Sequence, residues 1–138
     1  VRLVSAGRLD KDSGGLILFS NDGAFIERLT HPRYQTAKVY EVSIAVPLSG
    51  PEIQRLTVEG IRDDGDLLKA REVRRIAPGK YCFVLTEGKN REIRRMLTAL
   101  GRETRRLKRV AVGKLELGDL PLGRWRRLTE KEVQAAQQ

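Results

Sequence analysis

Asp10 lies in the segment Gly7-Arg8-Leu9-Asp10-Lys11-Asp12-Ser13-Gly14-Gly15, which runs directly into the apolar residues 16–19. A carboxylate held at such a place can attack as a nucleophile, stabilise a developing cation or move a proton. The apolar run is closed by Asn21-Asp22-Gly23, a turn signal, and so predicts a buried strand over 16–19. A strand of that kind would give the preceding loop a rigid mount. The competing reading is that Asp10 or Asp12 only organises a turn, as Asx residues commonly do.

Two other side chains stand out. Residues 37–46 alternate so that Tyr40, Val42, Ile44 and Val46 share one face, which predicts a strand with Tyr40 on its buried or cleft-facing side. Residues 91–100 carry Ile93, Met96, Leu97 and Leu100 on one helical stripe, with Arg91 and Arg95 pointing away from it. Arg94 falls at the edge of the stripe, where a guanidinium either finds an anionic partner or snorkels over the core.

Other chemistries lack their residues. The Gly88-Lys89 pair is no Walker loop, since Phe83 stands where the first Gly belongs and Asn90 replaces Ser/Thr. Asp63-Asp64-Gly65-Asp66 lacks EF-hand spacing and reads as a hairpin turn. His31 is the single histidine and Cys82 the single cysteine, so no zinc set or disulfide framework is expected; Cys82 reads as an inert core thiol, and no metal or cofactor is expected. A magnesium-dependent nuclease built on Asp10, Asp12 and Asp22 stays open at this point.

The chain of 138 residues, 40% hydrophobic and 33% charged, has the composition of one globular domain. Its net charge of +9 is lopsided: residues 1–70 hold 9 Lys/Arg against 10 Asp/Glu, and residues 71–138 hold 18 against 8. Such asymmetry points to a polyanionic partner, nucleic acid first. A membrane surface fits poorly, because the basic segments lack an apolar face with aromatic anchors. No apolar run approaches bilayer length, and the cysteine content suits a reducing cytoplasm, the expected location.

The remaining elements follow from local signals. Asn21 or Asp22 should cap a helix through Leu29 that Pro32 stops, and Ser49-Gly50-Pro51-Glu52 should open another with Ile53 and Leu56 inward. Strands are predicted over 71–76 and 80–86, joined by Ala77-Pro78-Gly79. Asn90 should cap the helix 91–100, with Gly101 ending it. Residues 102–109 are densely basic, and Leu107, Val110 and Val112 mark a strand; Thr129-Glu130-Lys131-Glu132 is a capping box for a last helix.

Set side by side, these stretches resemble the motifs of the pseudouridine synthases, above all the branch that modifies ribosomal RNA. Gly7-Arg8-Leu9-Asp10 with Ser13, Gly15-Leu16 and Ser20-Asn21-Asp22-Gly23 is similar to the catalytic motif, which implies Asp10 as the catalytic residue and Arg8 as a substrate contact. Lys38-Val39-Tyr40-Glu41-Val42 resembles the second motif, implying that Tyr40 packs on the target base and accepts a proton. Glu87-Gly88-Lys89-Asn90-Arg91-Glu92-Ile93-Arg94-Arg95-Met96 resembles the third, whose basic residue pairs with the catalytic Asp; by position that is Arg94. Arg106-Leu107-Lys108-Arg109 and residues 122–128 resemble the closing strands, with Leu107 packed in the active site.

The resemblance implies an α+β fold: a mixed, mainly antiparallel sheet with peripheral helices and a central basic cleft. It implies a catalytic domain over 1–138, lacking an upstream strand and any N-terminal RNA-binding domain. The expected reaction is isomerisation of uridine to pseudouridine in ribosomal RNA, with the base flipped into the pocket. Arg91, Arg95, Arg102, Arg105 and Lys108 would bind phosphates without reading sequence. Asn90-Arg91-Glu92, where small-subunit enzymes tend to carry His-Gln after an aromatic, favours large-subunit ribosomal RNA, with transfer RNA a second candidate. A monomer is expected. The rival from another class is a non-catalytic RNA-binding or ribosome-assembly module, which would use exposed stacking aromatics or a loop clamp; the chain has 3 Phe, 3 Tyr and 1 Trp.

Overall fold

The computed structural model describes residues 2–89 and 91–137. In chain order the elements are β1 (Val4–Ser5), β2 (Gly14–Gly15), β3 (Phe19–Ser20), α1 (Gly23–Thr30), β4 (Lys38–Ile44), α2 (Gly50–Gln54), β5 (Ile61–Asp63), β6 (Asp66–Leu68), β7 (Glu72–Ala77), β8 (Lys80–Leu85), α3 (Glu92–Ala99), β9 (Thr104–Val112), β10 (Leu115–Glu116) and α4 (Glu130–Ala136). The main sheet runs β10-β9-β4-β8-β7 with antiparallel neighbours, and β2 joins β9 in parallel. The architecture is therefore α+β with mainly antiparallel pairing.

Local chemistry accounts for most element ends. Asp22 caps α1, its Oδ1 accepting from Ala24 N and Phe25 N. Ser49 with Glu52 and Thr129 with Glu132 form capping boxes at α2 and α4. Leu56 lies just beyond α2, in a wide π-helical turn (Arg55–Glu59), and is fully buried. The β5–β6 hairpin turns through Asp64 and Gly65, both at positive φ (49° and 82°), the backbone that a type I′ turn requires. α3 opens at Arg91, whose φ of 50° is left-handed, and Gly101 at φ 74° follows its end. The expected Asn90 cap lies outside the described residues.

Two apolar clusters hold these elements. The larger joins Val42 and Ile44 of β4, Phe83 and Leu85 of β8, Leu56, and Ile93, Met96 and Leu97 of α3. Met96 and Leu97 are fully buried, so truncating either to Ala would cost about 2–5 kcal/mol. The smaller gathers Leu16, Leu18, Phe25 and Leu29 with Val112, Leu115 and Ala136.

Two sequence expectations need correction. Residues 16–19 do not form a continuous buried strand. Gly14–Gly15 pairs in parallel with Lys108–Arg109, and the chain then bends so that Phe19–Ser20 pairs with Val4–Ser5. Leu16 and Leu18 turn inward while Ile17 and Phe19 stay exposed, so the uniform apolar run conceals an alternation. Residues 122–128 form no strand either: they follow a turn, and Leu122 and Trp125 lie open to solvent.

Candidate active site

Asp10 begins a turn whose backbone closes through Ser13 N donating to Asp10 O at 3.0 Å. The loop is tied down on its far side, where Leu16 N donates to Arg109 O at 2.8 Å and Ala6 N to Leu18 O at 2.7 Å. Gly15, at φ +106°, lies against the backbone of Arg109, where an added Cβ would fall 2.6 Å from the Arg109 N. This close approach requires glycine, and it seats the end of the Asp10 loop against β9.

β4 and β9 supply the wall. Their register sets Tyr40 opposite Arg109 and Val42 opposite Leu107. Cross-strand partners share a face, so Tyr40 and Arg109 project together, with Leu107 one step along. Asp10, Tyr40, Leu107, Arg8, Arg91 and Arg109 all line one cleft of about 920 Å³. Leu29 comes to it from the smaller core cluster, and Leu85 and Ile93 from the larger.

The arginines of α3 are arranged differently from the expected pattern. Arg91 forks onto Asp12 with two bonds of 3.0 Å, and its Nη1 stands 3.9 Å from Asp10 Oδ2. Arg94 donates to the Asp12 carbonyl at 2.7 Å and faces Asp12 Oδ1 at 3.5 Å. Thus Arg94 meets the loop two residues beyond Asp10, and among the described residues the cation paired with the Asp10 carboxylate is Arg91. Asp12 draws both guanidinium groups because it sits where the turn crosses the head of α3. The Arg91 fork holds the Asp12 carboxyl well below its usual range, at about 2.

Two further expected phosphate ligands hold internal partners, as Arg91 does. Arg95 donates to Asp63 Oδ2 at 2.7 Å and to Asp66 Oδ2 at 3.0 Å, clamping the β5–β6 hairpin to α3. Arg102 donates to Glu52, Pro47 O and Leu100 O. These bonds all run to internal acceptors, so in this structure both arginines hold neighbouring elements together. Arg105 and Lys108 remain exposed on β9, and Arg8 is exposed at the cleft mouth.

Three groups that the sequence did not single out also line the cleft: Lys38, Glu92 and Arg109. Burial pushes the Tyr40 phenol up, and the facing Arg109 guanidinium offsets part of that rise. Burial lowers Lys38, and Arg109 lowers it further. Glu92 is raised from 4.5 to about 8, first by burial and then by the hydrogen bond it shares with Glu87, one proton serving two carboxyls. Its carboxyl also accepts from Lys89 N and Lys69 N, tying two loops together. A signal for Arg109 was present in the sequence, since it alternates in step with Leu107 along β9. Cys82 is buried in β8, and His31 ends α1 while accepting from Arg33 N.

A family described as RNA pseudouridylate synthase matches residues 1–99. Among similar proteins, one from Aquifex aeolicus (strain VF5), named uncharacterized RNA pseudouridine synthase, is 36% identical over 96% of this chain and 55% of its own length. The ribosomal large subunit pseudouridine synthase E of Xanthomonas campestris pv. campestris is 35% identical over 91% of this chain and 76% of its own. A solved structure described as a pseudouridylate synthase superposes with a TM-score of 0.90 at 32% identity, covering 97% of this chain and 59% of that one. The chain spans about half the length of the first of these relatives.

Proposed function

The chain belongs to the RNA pseudouridylate synthase family, and from that premise we propose that it converts uridine in large-subunit ribosomal RNA to pseudouridine. Residues 1–138 would form the catalytic part, and an RNA substrate of that kind would put the protein in the cytoplasm. The observation that carries the reading is the single cleft lined by Asp10, Tyr40, Leu107 and Arg91 together. The name of the Xanthomonas relative supports the choice of the large subunit.

The chemistry follows from those side chains. The flipped uracil packs between the Tyr40 ring and Leu107, apolar surfaces that suit a planar base. The N1–C1′ bond breaks with its electrons leaving on the base, and Asp10 meets the electron-poor sugar carbon, by bonding to it or by stabilising it. The base turns, C5 bonds to C1′ as any Asp10–C1′ bond breaks and frees the carboxylate, and the C5 proton leaves toward the Tyr40 hydroxyl while N1 gains one. Arg91 stands beside Asp10, and Arg94 acts as a positioning residue through the Asp12 carbonyl. Arg8, Arg105 and Lys108 offer exposed cations to the phosphates.

The test is single-turnover conversion of uridine in a large-subunit ribosomal RNA fragment, together with pseudouridine mapping in cells lacking the gene. Loss of a large-subunit site is expected. Loss confined to small-subunit RNA would overturn the substrate assignment, and tight binding without any conversion would favour the RNA-binding module.

A further inference from the structure

Arg109 is 3% exposed, and its Nη2 meets no acceptor in hydrogen-bonding geometry, although the guanidinium acts on the Tyr40 hydroxyl beside it. The rest of the guanidinium is used: Nε donates to Leu16 O at 2.9 Å and Nη1 to Arg8 O at 3.5 Å. Those two bonds fix its plane from both ends of the Asp10 loop. An orphaned donor on a buried cation is costly, and native interiors seldom keep one without a use. This one belongs to a residue that lines the cleft opposite Tyr40 and forms part of the wall that includes Leu107.

Resting on the function proposed above, we infer that Arg109 Nη2 donates to a carbonyl oxygen of the detached uracil and stabilises the anion formed when the N1–C1′ bond breaks. Both bonding electrons leave with the base, and the resulting negative charge spreads from N1 onto its carbonyl oxygens. A fixed donor in the cleft wall makes a stronger bond as that charge develops, so it accelerates the reaction rather than merely tightening binding. The base is the better occupant than a phosphate. The donor is buried beside the Tyr40 ring, whereas the exposed cations Arg105 and Lys108 lie outside on β9. Once C5 bonds to C1′ and N1 is protonated, the charge is gone and the contact relaxes to an ordinary hydrogen bond, which lets the product leave.

The experiment compares RNA oligonucleotides carrying uridine, 2-thiouridine or 4-thiouridine at the target, under single turnover, with the parent and with Arg109→Met. Sulfur accepts a hydrogen bond poorly, so at the carbonyl that Arg109 contacts it should slow the parent by roughly tenfold or more, the loss of one charge-assisted bond. Arg109→Met should be slow on uridine, bind RNA nearly as well, and show no added penalty for that sulfur. Arg109→Lys, which keeps the charge but shortens the donor, gives the same comparison if Arg109→Met does not fold. Equal thio effects in parent and variants, with an active parent, would overturn the role of Arg109 alone. A parent inactive on uridine would overturn the proposed function and this inference with it.

Discussion

Replacing Asp10 by Asn tests the centre of the proposed mechanism with little structural disturbance. The turn is closed by the Asp10 backbone carbonyl, which Asn retains, and the Asp10 side chain is 32% exposed at the cleft rather than packed in a core. What disappears is one negative charge facing the sugar. Two unit charges about 4 Å apart, at the effective dielectric of about 20 typical near a protein surface, interact by ~4 kcal/mol. If that interaction exists only while the sugar carries positive charge, its loss appears as roughly a thousandfold slower reaction with unchanged RNA affinity. The assay is single-turnover pseudouridine formation, with binding measured separately. Asp12→Asn is the control: it loosens the fork to Arg91 and the Arg94 contact, and should cost far less in the chemical step. An Asp10→Asn variant that isomerises uridine at near the parent rate would refute the assignment.

The other predictions concern binding, stability and loop geometry. Replacing Arg105 and Lys108 with Ala should flatten the dependence of log affinity on log salt by about 1.5–2 and weaken all RNAs alike; a loss confined to one sequence would mean that these residues read bases. Glu92 is raised from 4.5 to about 8 in the fold, so between those values the native state holds a proton that the unfolded chain has released. Stability from this group is therefore full below the unfolded value and falls as pH rises toward 8, and Glu92→Gln should flatten that fall in melting temperature across the same window. Gly15→Ala should cost about 1–3 kcal/mol in urea unfolding, because it combines a positive φ with a collision against the Arg109 backbone; a neutral result would show that the loop can shift away from β9.

The amino-acid sequence by itself determined whatever depends on neighbours a few residues apart. The cap at Asn21 or Asp22, the helix start at Ser49, the capping box at Thr129, the Asp63–Asp66 turn and the Ile93–Met96–Leu97 stripe were all legible, because the donor and acceptor, or the packed face, lie within one turn of chain. The family, and with it the α+β class, was legible because four motifs occur in order. What tertiary structure alone decided were the partners across long separations. Arg94 meets the loop 82 residues away at Asp12, Arg95 clamps a hairpin 32 residues away, and Arg102 reaches Glu52 across 50 residues. A helical wheel gives the side from which such an arginine leaves its helix, but the docking of the next element selects the acceptor. The break in residues 16–19 has the same origin, since Gly14–Gly15 and Phe19–Ser20 pair with strands from opposite ends of the chain. Arg109 is the clearest case: its type and alternation can be read from the sequence, whereas its place opposite Tyr40 exists only once β4 and β9 have paired in this register.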